Sequence, residues 1–210
     1  MRRVLKGSIA MHDGGGSVPP FSDVMAVLRR RTAAVHTRLE NALELLSPDL
    51  SVSRYRDVLM RMYGFYEALE PRLDDMLTGA GSPLPDWPSR RKVPLLRHDL
   101  RLLGVDEAAL AALPRPRVPA VDGVAAAMGV LYVFEGATLG GRFIVRHVVT
   151  TAVPPGATAF FGSYGDEVGR RWSQVRHAIR AATAGEAARV EACTGVAAAL
   201  FGALEAEFAR

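Results

Sequence analysis

From residue 22 onward, apolar positions recur at three- and four-residue intervals, the spacing that lines one face of a helix. The clearest run is Leu59, Met62, Tyr63, Tyr66, Leu69 and Leu73, one stripe of a helix predicted over 53–77. Pro71 falls inside it and predicts a kink, because proline removes a backbone donor and crowds the preceding turn. Upstream, Ser22 is a good N-cap with Asp23 in the first turn, and the helix it opens should stop at Ser47-Pro48. A Gly/Pro loop covers 79–89, a shorter helix 90–103 and a brief one 107–112, and Pro114, Pro116 and Pro119 mark a stiff connector. A fourth long helix is predicted over 122–150, a fifth over 164–183 and a last over 186–209. No stretch alternates as a strand would, and no internal repeat is found. The pattern predicts an all-α fold, a single domain over 21–210 whose helices are long enough to enclose a pocket. Residues 1–20 have little to bury and carry Gly and Pro clusters, so a flexible leader is expected there.

Composition narrows the classes. A chain of 210 residues suits one well-buried domain. A formal charge of +4 and a pI near 9.6 predict a mildly basic surface, suited to an acidic protein partner or an anionic ligand. Neither a zinc-finger spacing nor an RNP motif accompanies that charge, which argues against nucleic acid. Cys193 is the single cysteine, so no disulfide within the chain and no thiolate cluster can form, and a reducing cytoplasm is expected. Met1-Arg2-Arg3 is followed by His12, Asp13 and three glycines rather than an apolar core, unlike a signal peptide. The longest apolar run, Val124 to Phe134, is too short to span a bilayer and ends at Glu135, so no membrane insertion is expected.

Two helical segments carry the candidate chemistry. In the first, His36 has Glu40 one turn later on the same face, where the carboxylate can accept a hydrogen bond from one imidazole nitrogen. That fixes the tautomer and leaves the other nitrogen for a metal. Arg29 lies two turns earlier on that face, about 10 Å away at 1.5 Å per residue, with Thr32 between. An exposed histidine paired with a carboxylate has the same spacing, and the spacing does not choose between them. His12 falls in the expected leader, and His98, His147 and His177 sit beside charged residues as surface histidines do. In the second segment, Gly129, Gly136, Gly140 and Gly141 interrupt a strong helix. Each costs about 1 kcal/mol relative to alanine. Absent Cβ atoms let a flat body approach the backbone and let the helix bend. Close helix packing through Gly136-x-x-x-Gly140 is the alternative. Tyr132 precedes Gly136 by one turn and could bring its hydroxyl to a pocket rim, while Glu135 and Arg142 are expected on the outer face.

Taken together, these segments resemble the haem oxygenase family. Leu28, Arg29, Thr32, Val35, His36, Thr37, Glu40 and Asn41 fall on the family's proximal-histidine segment. Leu131 through Gly141 resembles the distal helix of its bacterial, biliverdin-producing branch. Arg91-Lys92 through Asp99-Leu100 and Gly104 match its central helix, and Phe160-Phe161-Gly162-Ser163-Tyr164-Gly165 with Trp172 resembles a further bacterial segment. The likeness covers about 24–208 in order. It implies His36 as the axial iron ligand, Glu40 orienting it, and Gly136 and Gly140 lining the distal pocket. Arg29 and Tyr132 would hold propionates, with Arg176 and His177 as candidate basic contacts from the fifth helix. Ala137 departs from the pattern: animal enzymes have aspartate there and many bacterial relatives serine, so water and backbone groups would have to relay protons. Gly195 stands where relatives often carry an aromatic residue. The implied reaction opens haem b, cofactor and substrate at once, with O2 to give biliverdin, iron and carbon monoxide. No flavin or nucleotide fingerprint is present, so electrons would come from an external reductase or ferredoxin, and a basic face near the propionates would suit an acidic donor. A bacteriophytochrome is a candidate recipient of the biliverdin. A haem carrier of the same fold without turnover is the alternative.

Overall fold

A computed structural model describes residues 23–209; the leader expected over 1–20 lies outside them. Seven α-helices are found among the described residues and no strand: α1 Val24–Leu43, α2 Val52–Leu77, α3 Val93–Leu102, α4 Glu107–Ala111, α5 Val124–Val148, α6 Val168–Thr183 and α7 Ala187–Phe208. Two short 3-10 turns, Trp87–Arg90 and Gly165–Glu167, precede α3 and α6.

Local chemistry explains where the expected boundaries move. The cap of α1 is Asp23, whose carboxylate accepts from the Met25 amide at 3.2 Å; Ser22 lies outside the described residues. The helix stops at Leu43, short of Ser47-Pro48, because Glu44 enters the left-handed region (φ 54°) and lets Leu45 turn into the core. Pro71 is accommodated within α2, which continues to Leu77. The segment expected as one helix over 90–103 begins as the Trp87–Arg90 turn, and α3 then starts with Pro94 in its first turn, where a missing N–H costs nothing.

The core is continuous and centred on α7, against which both α1 and α5 pack. α6 covers another side of α5, and α2 rests on α3 and on α5. Ion pairs fix the back of α1 to α7: Arg31 binds Glu191 bidentately at 2.7 Å, and Arg38, two turns on, binds Glu205. Arg180 of α6 reaches Asp23 at the start of α1 (3.0 Å). Among the described residues α5 and α7 are long and apolar enough to cross a membrane by length and composition alone, unlike the shorter run read from sequence, and both pack within this bundle.

Candidate functional site

With Arg31 and Arg38 turned to α7, the stripe Arg29, Thr32, His36 and Glu40 is left for the other side of α1. His36 is about half exposed (49%). Its Nδ1 lies 3.5 Å from Glu40 Oε2, longer than a short hydrogen bond. The ring is also held edge-on by Phe201 of α7, with centroids 5.6 Å apart. One nitrogen therefore faces a carboxylate while Nε2 is turned from it. Phe201 escaped the sequence reading, because its register on α7 gives no sign of what it touches.

The glycines of α5 divide into two kinds. A Cβ on Gly129 would lie 2.2 Å from the Cys193 carbonyl oxygen of α7, and one on Gly141 would lie 2.1 Å from that of Phe161. These two are the packing glycines. Among the described residues, a Cβ on Gly136 would meet only Trp172 Cη2 at 3.9 Å, and one on Gly140 would meet nothing within 4 Å. The Gly136-x-x-x-Gly140 spacing is thus not used to bring helices together. Ala137 beside them is exposed. Phe143, 52% exposed, falls on the same face as Gly136 and Gly140. Its helical spacing from them is visible in the sequence.

The two helices communicate at one end. Tyr132 is buried, and burial raises its phenol pKa, opposed by the Thr32 hydroxyl and the Arg29 charge from α1. From this junction His36 lies one turn farther along α1, and Gly136 and Gly140 lie one and two turns farther along α5. Neither helix packs along the other. On α6 the stripe Trp172, Arg176, Arg180 borders the same corner: Trp172 stands 5.8 Å from the Tyr132 ring and Arg180 holds Asp23. Arg176 sits between them on that stripe. His177 is turned away from the stripe; it is exposed, with Nδ1 2.8 Å from its own helix's Ser173 carbonyl. The Trp172 Nε1 is buried without a hydrogen-bond partner among the described residues.

Glu135 corrects the expectation of an outer face. It is 2% exposed, bound by Arg90 Nη1 at 2.8 Å and by the Tyr164 hydroxyl at 2.7 Å, with Lys92 Nζ at 3.9 Å. Those partners come from segments more than 25 residues away, invisible to a pattern read along α5. Arg142 is exposed, as expected. Two open cavities, of about 270 Å³ beside Asp57 and Glu207 and about 310 Å³ beside Arg142 and Tyr164, touch neither His36 nor Gly140.

The donor set discriminates among metals. No group of three or more His, Cys, Asp or Glu among the described residues could hold an ion. A single imidazole on an open face suits a metal that brings its own equatorial ligands, as a metalloporphyrin does. Tyr132 and the basic Arg29 and Arg176 suit carboxylates at the edge of such a ligand.

A protein-family profile described as Heme oxygenase matches residues 22–203. A curated relative from Xanthomonas campestris pv. campestris (strain 8004), named Heme oxygenase, is 34% identical over 149 residues, covering 70% of this chain and 84% of the relative.

Proposed function

This chain belongs to the haem oxygenase family and is an oxidoreductase that degrades haem, and we propose that it does so through His36 on α1 and the open glycine face of α5. Family membership carries haem binding and a redox partner with it. In our reading His36 Nε2 would hold the haem iron, with Glu40 and Phe201 setting the ring's orientation. Gly136, Ala137 and Gly140 form the distal wall. Arg29, Tyr132 and Arg176 hold the propionates, with Thr32 placing the Tyr132 hydroxyl; of the fifth-helix pair we assign Arg176, because His177 is engaged with its own backbone. Bound haem supplies both the iron and the porphyrin edge that is consumed. The protein's part is to fix the plane of that ligand, leave room over one face and exclude all but ordered water from it. Because Ala137 offers no side-chain donor, proton delivery falls to water and backbone groups.

The proposed products are biliverdin, iron and carbon monoxide, with O2 as oxidant and electrons from an acidic reductase or ferredoxin drawn to the basic surface. A bacteriophytochrome is a candidate acceptor of the biliverdin. We place the working unit at residues 21–210 and, from the lone cysteine, which is buried, in the cytoplasm.

The observation that carries this reading is the pairing of a half-exposed histidine with a helix face whose glycine Cβ positions open onto space. Purified protein, haem and ascorbate test it. Wild type should show a histidine-ligated Soret band that gives way to biliverdin absorption, and His36→Ala should lose the ligand and slow biliverdin formation by about a hundredfold or more, the scale of removing a group the transition state depends on. Normal turnover in His36→Ala would overturn the site. A wild-type Soret band that persists would identify a haem carrier instead.

A further inference from the structure

We propose that Glu135 is a positioning residue, a buried clamp on the back of α5 that sets how deep the distal glycine wall stands in the cleft; the inference rests on the reading of that cleft as the haem site. The front of this segment cannot locate itself. Among the described residues Gly140 has no neighbour within 4 Å of its Cβ position, Ala137 is exposed and Phe143 is half exposed. Gly136 and Gly140 also weaken this stretch of the helix, whose flank is held where Gly141 packs against the Phe161 backbone. Beyond that flank contact, its position is decided from behind.

Behind it stands a cluster of buried polar contacts. Glu135 immediately precedes Gly136. Its two carboxylate oxygens are divided between Arg90 (2.8 Å) and the Tyr164 hydroxyl (2.7 Å). Burial, and then the Glu135 charge, raise the Tyr164 phenol pKa, so it stays a donor. The Arg90 side chain is fully buried, and it also grips Asp86 (2.9 Å) and Gln174 of α6 (2.8 Å), so the clamp joins α5 to two other elements. Lys92 lies over the Tyr164 ring at 3.6 Å. Thr138 donates to the Glu135 carbonyl at 2.6 Å, bracing the backbone beside Gly136. A buried ion pair adds little stability over a well-packed apolar substitute, but it demands one geometry. Behind a wall that must stand at one depth, that demand is the useful property.

Tyr164→Phe and Glu135→Gln test the clamp. Tyr164→Phe deletes one hydrogen bond and keeps the ring, so it should fold even if Glu135→Gln does not. In haem-free protein, amide hydrogen exchange over 136–141 should quicken by about tenfold, the equivalent of one charge-assisted hydrogen bond. Exchange in the middle of α2 should be unchanged. With haem bound, the distribution of biliverdin isomers should shift while the haem Kd, governed by His36 and Arg29, holds. Faster exchange with an unchanged isomer distribution makes Glu135 merely structural and overturns the proposal, as does unchanged exchange. A wild type that never shows a histidine-ligated spectrum overturns the reading of the cleft itself, and is recognised before any substitution is made.

Discussion

Gly129 and Gly141 differ from Gly136 and Gly140 in everything but residue type and helix. Each carries the same propensity cost, about 1 kcal/mol against alanine. At the first pair that cost is offset by packing: backbone carbonyls of Cys193 and Phe161 occupy the space where a methyl would go. At the second pair no packing among the described residues offsets it, since a methyl at Gly140 would meet none of them within 4 Å and one at Gly136 would make a single ordinary contact. A destabilising choice with no such return is what the proposed haem-facing wall would require. The same helix is thus built for close packing at its start and on one flank, and for emptiness in front.

The largest effect should come from the packing pair. Gly129→Ala and Gly141→Ala push a methyl into backbone oxygen, which cannot swing aside as a side-chain tip can. About 3 kcal/mol of stability should be lost in either, the upper range for overpacking, seen as a fall in Tm of roughly 10 °C in thermal unfolding. Wild-type stability in both would erase the distinction between the pairs.

Next comes the buried back of α5. Burial lowers the Lys92 ammonium pKa from 10.5 to about 8, with the Glu135 charge opposing the shift. Below pH 8 the lysine is charged whether folded or unfolded, and its burial penalty is fully present. Between about 8 and 10.5 the unfolded chain holds the proton more tightly, so this residue's contribution to stability rises with pH. Lys92→Met should therefore be more stable than wild type at pH 7, with its advantage shrinking by up to roughly 3 kcal/mol by pH 10.5. Urea unfolding of both proteins across that range measures it, and a pH-independent difference would contradict the burial argument.

The smallest stability effect belongs to the open pair, and its sign should be reversed. Gly140→Ala should gain about 0.5–1 kcal/mol, because the helix prefers alanine and no neighbour objects. Its biliverdin formation should nevertheless fall, since the methyl projects into the cleft. Thermal unfolding and turnover on the same preparation check both halves. A variant neutral in both would mean that Gly140 is not a wall.

Much of this was legible along the chain. The apolar stripe of α2, the glycine-bearing α5 and the His36–Glu40 spacing all follow from periodicities that a helix imposes on its own sequence. Boundaries were less legible where a single backbone residue decides them, as at Glu44, or where proline redirects a start, as at Pro94. Glu135 was misplaced for a different reason. Beside a glycine and two turns before Arg142 it reads as a surface carboxylate, and only Arg90 and Tyr164, brought in by other elements, make burial tolerable.

The sequence by itself determined which residues share a face: His36 with Arg29 and Glu40, Gly136 with Gly140 and Phe143. Helical periodicity is local, and no tertiary contact is needed to read it. Which faces stay open was decided only in three dimensions. α7 and Phe161 fill the space at Gly129 and Gly141, Arg31 and Arg38 turn the back of α1 onto α7, and among the described residues the His36 imidazole stays half exposed beside Phe201 while the Gly140 Cβ position meets nothing within 4 Å. Emptiness is a property of everything that packs elsewhere, so no segment of the chain can encode it alone.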